Sequence, residues 1–263
     1  MGKKKKEKVR LGGMALPNGV LVHGPHSWAC AIRNDDGRIE VASAKKRFRA
    51  SRINNPLLRG PARLAEAIAL LPQVKAKLPA AKLPMENPRT VASMLGAAVF
   101  VRGLRESGMR PLPRELLSAI VSIAPAVLTL RSGELAAYHG AEHISIGTYE
   151  HGHAEKEHER CGSHLVGPLI LASAAGAGLS ARVPERLRKP ASLAASLGAF
   201  AASTEIFGWM TRHPSHPLAR ALAKPGHELQ HRFSTAEPTA EQLDVAEAAL
   251  AACLKLEHEL ASK

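Results

Sequence analysis

A chain of 263 residues is long enough for one large domain or two small ones, with a sizeable core. Lys and Arg number 36 against 23 Asp and Glu, a net charge of +13 that suits an anionic membrane lipid surface, nucleic acid, or the cytoplasmic flank of membrane segments. Three scattered cysteines (Cys30, Cys161, Cys253) exclude a disulfide framework and point to a reducing compartment. An aromatic content of 3% excludes a stacking-type single-strand binder, so no specific nucleic-acid partner is expected.

Residues 1–10, with the run Lys3-Lys4-Lys5-Lys6, read as a basic disordered tail, and 11–263 as one domain. Met14–Val22 is a poor secretory core, because Pro17, Asn18 and Gly19 interrupt it. A β-hairpin region is expected over 18–42. There Trp28, Cys30 and Ile32 alternate with smaller residues, Asn34-Asp35-Asp36-Gly37 supplies a turn, and Ile39 and Val41 alternate again. A second basic cluster, Lys45-Lys46-Arg47-Phe48-Arg49, follows.

The helical region is expected over 56–211. From Pro61, suited to a first turn, Leu64, Ile68 and Leu71 fall on one helical face, and Pro72, Pro79, Pro84 and Pro88 make a linker. Four apolar stretches come next: Thr90–Val101, Leu116–Leu130, Leu165–Ala181, and Pro190–Thr211 interrupted by Glu205. A bilayer span needs about 20 apolar residues, so by hydropathy alone buried bundle helices are as well supported as transmembrane ones. Arg102, Arg105, Arg110 and Arg114 join the first pair, and Arg182, Arg186, Arg188 and Lys189 the second. If all four stretches cross and the N-terminus stays inside, both joints lie outside, against the positive-inside tendency. Interfacial hairpins avoid that conflict. In the tail and helix of 212–263, Thr239 and Gln242 make a capping-box pattern. Leu243, Ala246, Leu250, Cys253 and Leu254 form an apolar stripe there, with Cys253 as core. The fold class is therefore mostly α with a small N-terminal β-hairpin region; its helical hairpins suit a membrane-embedded, an interfacial or a soluble-bundle setting.

The chemistry concentrates in Tyr138-His139-Gly140-Ala141-Glu142-His143. His139 and His143, four apart, share one face of a helix within reach of one ion, and Glu142 borders that face. The order His-x-x-Glu-His inverts the zinc-protease signature, in which two histidines hold zinc and the glutamate activates water. Ser132 is placed to cap this helix, and Gly140 is an intrusion costing ~1 kcal/mol against alanine. Downstream, His158 and Cys161 have the spacing of a ligand pair, and two histidines plus a cysteine suit a divalent ion, zinc above all. Glu150 and Glu205 are further candidate ligands. The bland alternatives are a salt-bridged Glu205 and solvated loop histidines at His151, His153 and His158.

With those residues in view, the chain resembles the YqhQ-like family, a bacterial group described as multi-pass membrane proteins and predicted metal-dependent enzymes. The resemblance runs along nearly the whole chain after the lysine tail. It rests on Gly12-Gly13, Gly19-Val20, Gly24-Pro25, Ser27-Trp28-Ala29, Asp36-Gly37, Arg59-Gly60, the central His-Glu-His run, Tyr149-Glu150, His158 and Arg160-Cys161-Gly162. It continues through Glu205, Pro225-Gly226, Leu229-Gln230, Thr235 and Glu237-Pro238. Departures fall at Met14, Asn18 and Ile144, where the family pattern carries Gln, Glu and Lys. The resemblance implies a protein of the cytoplasmic membrane. Pairing the apolar stretches as hairpins puts the His-Glu-His segment and both termini on the cytoplasmic side. The function expected is a membrane-associated metal-dependent hydrolase with Glu142 as general base. The alternatives are a non-catalytic membrane adaptor or transport component, and a basic factor bound to nucleic acid or the ribosome.

Overall fold

A computed structural model describes residues 8–131, 133–153 and 155–262, with Pro111 described in its backbone only. The lysine run of the tail and the proposed cap Ser132 lie outside the described residues. Residues 8–10, expected as part of the tail, are held in place: the Val9 amide donates to the Tyr149 hydroxyl at 3.1 Å, and Lys8 Nζ to the Tyr149 carbonyl at 2.5 Å.

The alternating N-terminal segment folds as an antiparallel meander of four strands, β1 (Gly12–Leu16), β2 (Gly19–His23), β3 (Ser27–Arg33) and β4 (Ile39–Lys45). The small N-terminal β region is as expected and extends beyond 18–42 at both ends. The Pro17-Asn18 break in an apolar run is itself a tight turn, with Leu16 paired to Gly19 across it. Asn18 is buried there. Its side-chain amide donates to the Arg33 and Ala80 carbonyls and its oxygen accepts from the Lys82 amide, so an amide rather than an acid completes this joint. The β3–β4 turn is the expected one: Asn34 Oδ1 accepts from the Asp36 and Arg38 amides, and Gly37 takes φ +80°.

Strand alternation sorts two cores. Leu16, Leu21, Trp28, Cys30 and Ile32 face α1 (Pro56–Lys77), meeting its Leu70, Leu71 and Val74. The opposite face carries Val20, Val22, Ala29 and Ala31, and its small residues let α4 (Gly133–His151) and α8 (Ala240–Ala261) lie close. Helix α8 has the expected capping box of Thr239 and Gln242, and Cys253 is fully buried on its stripe. Helix α1 begins earlier than read from Pro61. Asn55 caps it, and Pro61 and Pro72 both lie inside it. Leu64 and Ile68 are about half exposed, because the docked face is set instead by Leu70, Val74 and a buried ion pair between Glu66 and Lys46 of the β4–α1 connection.

The four apolar stretches become two helical hairpins: α2 (Pro88–Glu106) packs on α3 (Pro111–Leu130), and α5 (Val166–Ser180) on α6 (Arg188–Arg212). The hairpins meet through α3 and α5. Two helical segments, Leu112–Leu130 and Gly162–Ser180, are long and apolar enough to cross a membrane, and 11% and 22% of their windows are buried within the protein. Large apolar side chains on the hairpin helices point outward, among them Val99 of α2, Leu128 of α3 and Leu179 of α5. Helix α7 (Pro217–Leu229) and a π-helical turn over Gln230–Ser234 close the fold against the segment before α5.

Candidate metal centre

Helix α4 is buried over almost every residue from Leu135 to Gly147. Such a helix needs small residues wherever backbone crosses it closely, and Gly140 is one. A Cβ there would lie 2.1 Å from the Ala236 carbonyl oxygen, and the Ala236 amide donates to the Ala136 carbonyl at 3.0 Å. The glycine that weakens the helix thus admits the 234–238 segment, which in turn fixes the first histidine.

His139 and His143 are tethered alike. His139 Nδ1 lies 2.7 Å from the Ser234 carbonyl and His143 Nδ1 2.7 Å from the Lys156 carbonyl. A carbonyl only accepts, so each ring carries its proton on Nδ1 and leaves the Nε2 lone pair free, the arrangement that prepares histidine for a metal. The ring centroids are 4.3 Å apart. Cys161, just before a short 3-10 turn at Gly162–Leu165, brings its sulfur to 3.5 Å from His139 Nε2. One ligand atom from each of His139, His143 and Cys161 falls within 4.8 Å of the others. Bonds of about 2.0–2.1 Å from zinc to nitrogen and about 2.3 Å to sulfur fit that spacing.

Glu142 is buried and places Oε2 3.9 Å from His139 Nε2 and 4.0 Å from His143 Nε2. Burial pushes its carboxyl up to about 7, with His139 pulling down and Cys161 pushing up. Burial also holds His143 well below its ordinary value, and so neutral, and raises the Cys161 thiol. Gly13 of β1 stands against this carboxylate: a Cβ at Gly13 would fall 2.2 Å from Glu142 Oε1. The sheet therefore packs glycine onto the back of the acid.

Beside this trio lies a second. Ligand atoms of Glu150, His151 and His158 also fall within 4.8 Å of one another. His158, a candidate ligand whose blander reading is a solvated loop histidine, is half-buried with its ring 5.6 Å from that of His143. His158 Nε2 and Glu150 Oε2 are buried 3.4 Å apart, and neither has a hydrogen-bond partner among the described residues. Arg160 pairs with the other Glu150 oxygen. Burial would raise Glu150, but His158 and Arg160 outweigh it and hold it below the usual carboxylate range. His151 and His153 are exposed.

Glu205 is not brought to this centre. It receives Arg59 through two guanidinium nitrogens, one at 2.6 Å, tying α6 to α1. The polar interruption of an apolar stretch is an ion pair between helices, the blander of the two expectations for it.

One functional support had no motif of its own. Gln230 is fully buried. It accepts from the His158 amide at 2.9 Å, and its Nε2 lies 2.8 Å from Ser163 Oγ and 3.1 Å from His164 Nδ1. It holds the loop that delivers His158 and Cys161, and only its place among the family-like residues pointed to it.

The centre opens on a cleft of about 1010 Å³. Its polar end carries His139, Glu142, His143, His158 and Cys161; its walls come from α2, α3 and α5.

Residues 133–256 match a family described as a protein of unknown function (DUF1385). The match runs from the start of α4 into α8, so it contains both ligand trios and Gln230. No curated protein and no solved structure matches the chain.

Proposed function

We propose that this protein is a membrane-associated, metal-dependent hydrolase of the YqhQ-like group. The observation that carries the reading is the convergence of two free imidazole nitrogens and one thiol at the polar end of a large cleft, with a buried carboxylate beside them. His139 and His143 would hold the ion through Nε2 and Cys161 through its sulfur. A bound zinc ion would supply Lewis acidity and lower the pKa of a water. Glu142 stands outside that ligand set, takes the proton of the attacking water, and returns it to the leaving group. The Ser234 and Lys156 carbonyls keep the two rings in one tautomer and one orientation throughout.

Membrane association is supported by the outward apolar faces of α2, α3 and α5 and by the basic residues at the hairpin tips, which suit anionic headgroups. The three unpaired cysteines favour a cytoplasmic position for the centre. Basic tips favour the cytoplasmic side too, and hairpins lying in the interface rather than crossing it reconcile the two.

Elemental analysis of the purified full chain tests the centre. Near-stoichiometric zinc is expected in the wild type and its loss in the double variant His139→Ala/His143→Ala. A wild type purified with metal supplied that carries only trace divalent ion overturns the reading and returns the adaptor and nucleic-acid alternatives. Alkaline carbonate should leave the protein in the membrane pellet; clean release would overturn insertion of the hairpins.

A further inference from the structure

The cleft is larger than a catalytic water and a small polar substrate require, at the upper end of the range for small-molecule sites. Its wall chemistry is one-sided. Met94 and Val101 of α2, Ile123 and Val127 of α3, and Val166 and Leu169 of α5 line it away from the histidines. Three hydroxyls on that wall already have protein partners: Ser122 Oγ donates to the Ser118 carbonyl at 2.7 Å, and Thr129 Oγ1 lies 2.8 Å from the Pro125 carbonyl and 3.2 Å from Thr90 Oγ1 of α2. Among the described residues this wall offers a polar ligand few groups beyond hydroxyls that are already engaged, and it suits hydrocarbon. The helices that form the wall include the two segments apolar enough to cross a membrane. Their outer faces are apolar as well, with Leu95, Val99 and Leu128 more than half exposed and outside the cleft lining. A hydrocarbon chain could thus pass from bilayer to cleft without crossing a polar surface.

We infer that the substrate is a lipid-like amphiphile, its hydrocarbon chain lying between α2, α3 and α5 and its polar end at His139, Glu142, His143 and Cys161. The inference rests on the proposed hydrolase reading for what happens at the polar end, and on the cleft alone for the chain. It separates this site from that of a peptidase or a hydrolase of small water-soluble esters, which needs polar subsites where this wall is mostly aliphatic.

Photo-crosslinking decides it. The full chain is reconstituted in vesicles of phosphatidylethanolamine and phosphatidylglycerol containing a palmitic acid with a terminal diazirine, illuminated, digested and mapped by mass spectrometry, with zinc measured on the same sample. Adducts are expected on the cleft residues of α2, α3 and α5 in addition to those on the outward Leu95, Val99 and Leu128. Ala98→Trp and Ala126→Trp place an indole in the cleft from two different helices, so a folding failure in one leaves the other. Each should remove most of the cleft adducts and leave zinc content unchanged. Adducts confined to the outward residues, or cleft adducts unchanged in both tryptophan variants, overturn the inference. Cleft adducts in a protein without zinc would support the lipid site while the metal reading fails, and zinc with outward adducts only would do the reverse.

Discussion

Replacing Gly140 by alanine sets two physical effects of opposite sign against each other. Helix propensity alone favours the substitution by about 1 kcal/mol in a helix interior. The tertiary structure opposes it. The new methyl would sit 2.1 Å from the Ala236 carbonyl oxygen, a backbone atom that cannot swing aside like a side-chain tip. Carbon and oxygen approach without repulsion only to about 3.3 Å, so the 234–238 segment must withdraw by roughly 1.2 Å. That withdrawal breaks the Ala236 amide to Ala136 carbonyl bond and pulls the Ser234 carbonyl from His139 Nδ1. Breaking two buried hydrogen bonds costs about 1–3 kcal/mol each, which less the propensity gain leaves a net destabilisation of about 1–5 kcal/mol. Loss of the carbonyl that orients His139 should also weaken zinc binding by about 10- to 100-fold. Urea denaturation of metal-free protein measures the first effect and chelator competition the second. Gly96→Ala on α2 is the control: a Cβ there meets nothing within 4 Å, so only the propensity gain should register. A Gly140→Ala protein as stable as wild type, with unchanged zinc affinity, would refute the reasoning.

Cys161→Ser should lower zinc affinity by at least tenfold, while Glu142→Gln should keep full metal content and abolish any hydrolytic activity; chelator competition and metal analysis separate the two, and metal loss in Glu142→Gln would move that residue into the ligand set. Lys46→Met should cost about 3–5 kcal/mol, because it leaves Glu66 buried without its cation, and Lys46→Met/Glu66→Leu should recover a large part of that loss in denaturant midpoints. Glu257 accepts the His26 and Ser27 amides and the Ser27 hydroxyl and pairs with His26. Burial raises this carboxyl, but those bonds outweigh burial and hold it below its ordinary value. Its contribution is therefore present above the unfolded value near 4.5 and lost as pH falls through the lower folded value. Glu257→Gln should lower stability at pH 7 and flatten the acid limb of the stability–pH curve; parallel wild-type and variant curves would refute this.

Several elements follow from local residue order. The β3–β4 hairpin needs only the alternation of Trp28, Cys30 and Ile32 and a turn that ends in glycine. The α8 capping box is a matter of four consecutive residues. The pairing of His139 with His143 comes from helix geometry, which any segment in α conformation imposes at a spacing of four. These features depend on interactions within one turn or one hairpin, so sequence contains all their terms.

Other features depend on which surfaces meet. Leu64, Ile68 and Leu71 make as good a stripe on α1 as Leu70, Leu71 and Val74. The sheet face and the Lys46–Glu66 pair chose between them. Glu205 read as a ligand candidate because a carboxylate in an apolar run needs a partner. That the partner is Arg59, on a helix far away in the chain, is a fact of α1 lying on α6. Gly140 reads as a defect in the helix until the 234–238 segment is placed across it.

What the sequence determined by itself was the candidate ligand set: imidazoles at helical spacing, a carboxylate between them, and a thiol downstream. What only the tertiary structure decided was convergence and surroundings. Cys161 reaches His139 because Gln230 anchors the intervening loop, and the histidines present Nε2 because carbonyls of Ser234 and Lys156, outside the helix, hold Nδ1. Spacing along a helix is a covalent constraint legible in one dimension. The position of a carbonyl 95 residues away is set by the packing of the whole core, and no local pattern encodes it.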